Sequence, residues 1–168
     1  MNKRGQFYLI AAIVIVSIML GFVAVTNYTS ATPTSNINYL KEEISIESSK
    51  TIDYGTYNQF NNVQMQNLMI NFSNDYINSS YGYDLYFIFG NSQGMTFMAY
   101  QNNASQVWIN GQTANVGAGQ TYTQKFSPLN KNIVQINSYN YTFLLNSGEN
   151  FHFILSNINS GQDYLAYQ

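Results

Sequence analysis

Leu85-Tyr86-Phe87-Ile88-Phe89 is an unbroken apolar run bounded by Gly82 and Gly90. A short run of large and aromatic residues between glycines reads as a β-strand. The hydrophobic period changes at this point. Before it, apolar residues recur at spacings of three and four; after it, every apolar run is short and closed by turn residues. The chain therefore predicts an α+β fold, with helices first and a C-terminal antiparallel β-rich domain.

Downstream, strand-like runs cover 95–100, 107–109, 122–126, 133–136, 139–145, 150–156 and 164–167. Asn110-Gly111 is the strongest short hairpin signal, because both central residues of a type I′ turn need positive φ. Gly117-Ala118-Gly119 and Asn146-Ser147-Gly148 mark further turns. About seven or eight strands at regular spacing predict a sandwich or a strongly curled sheet.

Upstream, residues 63–77 carry Met65, Leu68, Met69, Phe72 and Tyr76 at helical spacing. Such a stripe is read as core rather than as an adaptable binding surface. An earlier helix follows a cap at Thr34 or Ser35, with Ile37, Leu40 and Ile44 on one side. Glu42, Glu43 and Glu47 alternate with Lys41 and Lys50 as a solvated face, and Gly55 is expected to interrupt this helix. Residues 26–35, TNYTSATPTS, read as a linker broken at Pro33.

Residues 7–25, FYLIAAIVIVSIMLGFVAV, hold no charge. As a helix they reach about 28 Å, close to the hydrocarbon thickness of a bilayer. Lys3 and Arg4 precede the run, and the next charge is Lys41. The positive-inside rule puts the N-terminus in the cytoplasm and everything past residue 25 outside, with membrane lipid as the first partner. A secretory signal, the rival interpretation, has a shorter apolar region and ends on a small-residue cleavage site.

The lead into that run, Lys3-Arg4-Gly5-Gln6, resembles the class III signal peptide of archaeal type IV pilin-like proteins. The resemblance covers about the first 25 residues. It implies a prepilin peptidase-like protease cutting between Gly5 and Gln6, after which the apolar helix stays on the protein. It also implies a subunit that forms a homo-oligomer or filament. Many members carry Ser and Glu at the third and fifth mature positions, where this chain has Tyr8 and Ile10. The expected division is a leader over 1–5, an apolar helix over 6–25, a linker over 26–35 and an outer helix-plus-sheet domain over 36–168.

Composition narrows the function. The 168 residues carry a net charge of -2, and only 8% are charged, against roughly 25% in typical soluble proteins. The six basic residues form no patch in sequence, which argues against nucleic acid as a partner. Polarity comes from amides and hydroxyls, with 24 Asn beside 15 Tyr and 11 Phe. An AT-rich genome would produce the same bias. Cysteine is absent, so hydrogen bonds and packing must hold the outer domain.

No motif points to catalysis, a cofactor or a metal, and the chain is read as a non-enzyme. His152 is the only histidine, and alternation sets it opposite Phe151 and Phe153 as a surface or edge residue. One His without Cys falls short of a zinc site. Asp53, Asp75, Asp84, Glu149 and Asp163 stand apart, leaving only a site assembled across loops from Asp84, Glu149 or Asp163. Gly117-Ala118-Gly119 lacks the context of a phosphate loop. Sequons occur at Asn27, Asn71, Asn78, Asn103 and Asn140, a number close to chance for this composition. Asn27 and Asn103 are the candidates for glycosylation. Trp108, Tyr100 and Tyr122 are candidate contacts for a surface glycan or protein ligand, against a competing role in the core or sheet face. Two functions are expected: a pilin-like cell-surface structural subunit, or a monomeric membrane-tethered adhesion module.

Overall fold

The computed structural model describes residues 33–79, 82–159 and 162–167, with side chains over 37–79 and 82–157. Among the described residues two helices come first, α1 (Pro33–Tyr57) and α2 (Asn62–Ser79). Nine strands follow: β1 (Asp84–Asn91), β2 (Gly94–Gln101), β3 (Ser105–Ile109), β4 (Gln112–Val116), β5 (Gln120–Phe126), β6 (Asn132–Ile136), β7 (Tyr139–Phe143), β8 (Asn150–Asn159) and β9 (Gln162–Tyr167). The fold is α+β, with one sheet ordered β5-β2-β1-β8-β9 and a second ordered β4-β3-β6-β7. Every strand pairing within them is antiparallel.

The opening apolar run becomes β1, the middle strand of the larger sheet, paired with β2 and β8. Successive side chains point to opposite faces. Leu85, Phe87 and Phe89 pack with Ile37, Ile44 and Met69 on the helix side. Tyr86 and Ile88 pack with Val107, Ile109 and Val134 of the smaller sheet. All five residues are 0–1% exposed. A strand covered on both faces must be apolar throughout, which is why this run does not alternate. In β6, by contrast, Val134 and Ile136 are buried while Ile133 is exposed, because that sheet has one face on solvent.

The extra strand relative to expectation is β4, the return arm of the Asn110-Gly111 hairpin. Its turn has φ of 51° and 81°, both positive as type I′ requires.

The helix ends differ from the sequence expectation. Pro33 opens α1 rather than breaking a linker, since its missing N–H costs nothing at a first helical position. Gly55 does not interrupt α1. It is buried, and a β-carbon there would lie 2.7 Å from Met65 Cε, so the glycine lets the two helices approach. The stop comes four residues later. Gln59 takes φ 55°, Gln59 N–H donates to Thr56 O (3.0 Å), and Phe60 N–H donates to Gly55 O (3.0 Å). This is a Schellman motif with glutamine in the left-handed position. Asn61 then caps α2: its Oδ1 accepts from Val63 and Gln64 N–H (3.1 and 3.0 Å), and Gln64 Oε1 accepts from Asn61 N–H (3.0 Å). The exchange is a capping box.

Buried polar groups are tied into pairs. The Tyr76 hydroxyl donates to Glu47 Oε2 at 2.7 Å, joining α2 to α1. Burial, followed by that hydrogen bond and the charge of Glu43, holds the Tyr76 hydroxyl far above its ordinary pKa. Gln101, 1% exposed, donates through Nε2 to the Tyr86 hydroxyl (2.7 Å) and to Ser105 Oγ (2.6 Å). Burial also pushes the Tyr86 hydroxyl upward. Gln101 therefore pins the point where the chain leaves one sheet for the other.

Two substitutions test these assignments. Gln59→Gly removes left-handed strain and is expected to raise stability by about 0.5–1 kcal/mol. Lower stability in urea denaturation would contradict a strained Gln59. Ser73, fully buried on α2, has a hydroxyl without a hydrogen-bond partner. Ser73→Ala should be stabilising by about 1 kcal/mol, because burying an unpaired hydroxyl is unfavourable. A drop in melting temperature would show that the hydroxyl is satisfied in solution.

Candidate functional site

The leader residues Lys3, Arg4, Gly5 and Gln6, the apolar run and Asn27 lie outside the described residues. No helix among the described residues is long and apolar enough to cross a membrane. No group of three or more His, Cys, Asp or Glu among them could hold a metal ion.

The three aromatic candidates stand on different faces. Tyr100 packs half-buried against the helix-side core. Tyr122 packs against the core between the sheets, its ring 6.3 Å from that of Phe97, and its hydroxyl bonds Gln124. Trp108 is half-buried on β3, directly across from Thr113 and Gln135. They do not form one site.

His152 faces away from Phe151 and Phe153, as alternation requires, and is partly exposed. Its ring sits 5.0 Å from that of Phe143, and Nε2 lies 3.4 Å from Leu144 O. Asp84 opens β1 and holds the β2–β3 turn, where Asn102 donates to its Oδ1 through N–H (2.8 Å) and Nδ2 (3.0 Å). Glu149 adjoins the far end of β1, where Asn150 pairs with Gly90. A strand of this length keeps the two carboxylates about 20 Å apart, so they cannot share a site. The Asp163 side chain lies outside the described ones.

Asn103 is exposed in the β2–β3 turn, as expected. Exposure does not single it out, because Asn71, Asn78 and Asn140 are exposed too. The hydroxyl partner of each sequon differs more. Ser73, which completes the Asn71 sequon, is fully buried. Ser105, which completes that of Asn103, accepts from Gln101. Asn140 and Thr142 are both exposed on β7.

A groove of about 320 Å³, lined by both polar and apolar surface, lies where the first turns of α2 pass over the β1–β2 hairpin. Asn62, Gln66, Asn91 and Gln93 supply amides, with Lys125 and Glu149 also in its lining. Gly90 makes the hairpin feasible: its φ is +131°, and a β-carbon there would lie 2.1 Å from Gly94 O. Gly94 leaves space, since a β-carbon there would touch nothing within 4 Å. Internal bonds hold the lining. Asn62 Nδ2 donates to Gln93 Oε1 (3.2 Å), Asn91 Nδ2 donates to Glu149 Oε1 (2.8 Å), and Asn91 Oδ1 accepts from Gln93 N–H (2.9 Å). Gln66 Nε2 donates to Thr96 Oγ1. Nothing in the sequence flags this groove, because its residues come from four segments and match no motif. The one local signal is Asn91-Ser92-Gln93-Gly94, a turn between two apolar runs.

No protein-family model matches the chain, and no curated protein or solved structure does either.

Asn91 makes two of the bonds that shape the groove, so Asn91→Ala should lower stability by about 1–2 kcal/mol. It should also speed amide exchange over residues 92–95. Unchanged exchange there would mean that the hairpin tip is held by other contacts.

Proposed function

We propose that this chain is a pilin-like surface subunit: an apolar helix over 6–25 seated in a membrane or filament core, with the domain from residue 36 displayed outside. The observation that carries it is Lys3-Arg4-Gly5-Gln6 immediately before an uncharged apolar run. A leader cut after Gly5 leaves that helix on the protein, so processing and anchoring are compatible. Two features of the outer domain support the proposal. Its first element, α1, contributes Ile37 and Ile44 to the helix-side core, so a chain leaving the membrane begins to pack within a few turns. Its side-chain hydrogen bonds run mainly through uncharged amides and hydroxyls, and no disulfide holds it.

A second reading rests on Tyr8 and Ile10. The side chains that related subunits place there are lacking, which favours a membrane-tethered binding module that acts without polymerising.

The mature N-terminus decides the processing step. Mass spectrometry of the protein taken from its native membrane is expected to find Gln6 first; Met1 as the first residue would sink the pilin-like proposal. Immunogold labelling of whole cells separates the two readings. Label along filaments supports a polymer, and label confined to the membrane line supports the tethered module.

A further inference from the structure

We propose that the groove between α2 and the β1–β2 hairpin is a binding site for a neutral saccharide. The inference rests on the outer domain alone, and neither leader processing nor polymerisation bears on it.

Size sets the first limit. At about 320 Å³ the groove is at the small end of ligand sites. It suits one or two sugar rings rather than a large cofactor. Charge sets the second. One cation, Lys125, and one anion, Glu149, share the lining. Their fields oppose each other, so neither a phosphate nor a polycation gains from entering, and a neutral ligand is favoured.

Hydrogen-bond capacity points to hydroxyls. Asn62 uses its Nδ2 on Gln93, Gln66 its Nε2 on Thr96, and Glu149 its Oε1 on Asn91. This leaves Asn62 Oδ1, Gln66 Oε1 and Glu149 Oε2 as acceptors that no hydrogen bond among the described residues uses. Gln93 Nε2 and Lys125 Nζ remain as donors on the same terms. A sugar hydroxyl both donates and accepts, so a polyol can satisfy a mixed set of this kind. The amides are already held by their internal bonds, which reduces the ordering cost of binding. A peptide would need pockets for its side chains. The apolar part of the lining holds one exposed large apolar side chain, Val63, while Phe89 is 1% exposed, so no deep side-chain pocket is formed. Gly94 supplies the opening, and any larger residue there would occupy the ligand's volume.

A groove this small implies weak binding, with Kd about 1 mM. The test is a ¹⁵N-correlated NMR titration of the full chain in detergent micelles. The probes are cellobiose, maltose, chitobiose and methyl α-mannoside, with an acetylated, amidated Ala-Asn-Ala peptide in parallel. At least one saccharide should shift the side-chain amide signals of Asn62, Gln66 and Gln93 in a saturable way. Gly94→Leu should weaken that binding by roughly tenfold or more. Gly148→Leu is the matched control: a β-carbon there also meets open space, outside the groove lining, so binding should be unchanged. Both variants should give folded spectra. No saturable shift with any saccharide, or saccharide shifts that survive Gly94→Leu, would overturn the proposal. Saturation by the peptide alone would replace it with a peptide site.

Discussion

Everything in the helix-and-sheet domain depends on covering β1 on both faces. Five consecutive large apolar residues cannot be satisfied by a single layer, because their side chains alternate between opposite sides of the sheet. One side requires α1 and α2, and the other requires the second sheet. Burying a side chain of this size contributes about 1.5–3 kcal/mol. Losing either cover would therefore expose two or three such residues at once. The layer order of helices, five-stranded sheet and four-stranded sheet follows from this one strand.

Low charge sets the second constraint. With few ion pairs to draw on and no disulfide, the domain supplements its apolar cores with contacts through amides, hydroxyls and a carboxylate–tyrosine pair. Gln101 is the clearest case. It sits at the end of β2, where the chain must leave one sheet for the other, and its amide meets Tyr86 from below and Ser105 from the next strand. Tyr76 and Glu47 act similarly between the helices. Glu47 reads in sequence as part of a solvated face, and only the packing of α2 gives it a partner.

The groove illustrates how such a domain can hold polar side chains without closing over them. Asn91 is bonded at both ends of its amide, while Asn62, Gln66 and Gln93 are each held by one end and keep the other open.

Local chemistry alone determined much of this protein. The period change near Tyr83, the unbroken run from Leu85 to Phe89, the Asn110-Gly111 turn and the core stripe through Met65 and Met69 each act over a few residues, so their outcome was legible. The uncharged span with its basic leader is equally local, and it is what the proposed anchor rests on. Tertiary structure decided what depends on partners distant in the chain. Gly55 looks like a helix breaker until Met65 lies against it. Gln59 gives no sign that it will turn left-handed to end α1. The exposed sequon residues look alike until burial separates Ser73 from Thr142. The groove exists only because strand pairing brings Glu149 beside Asn91 while helix packing brings Asn62 above Gln93. Periodicity encodes which face a residue takes, but not which residue from another segment will meet it there.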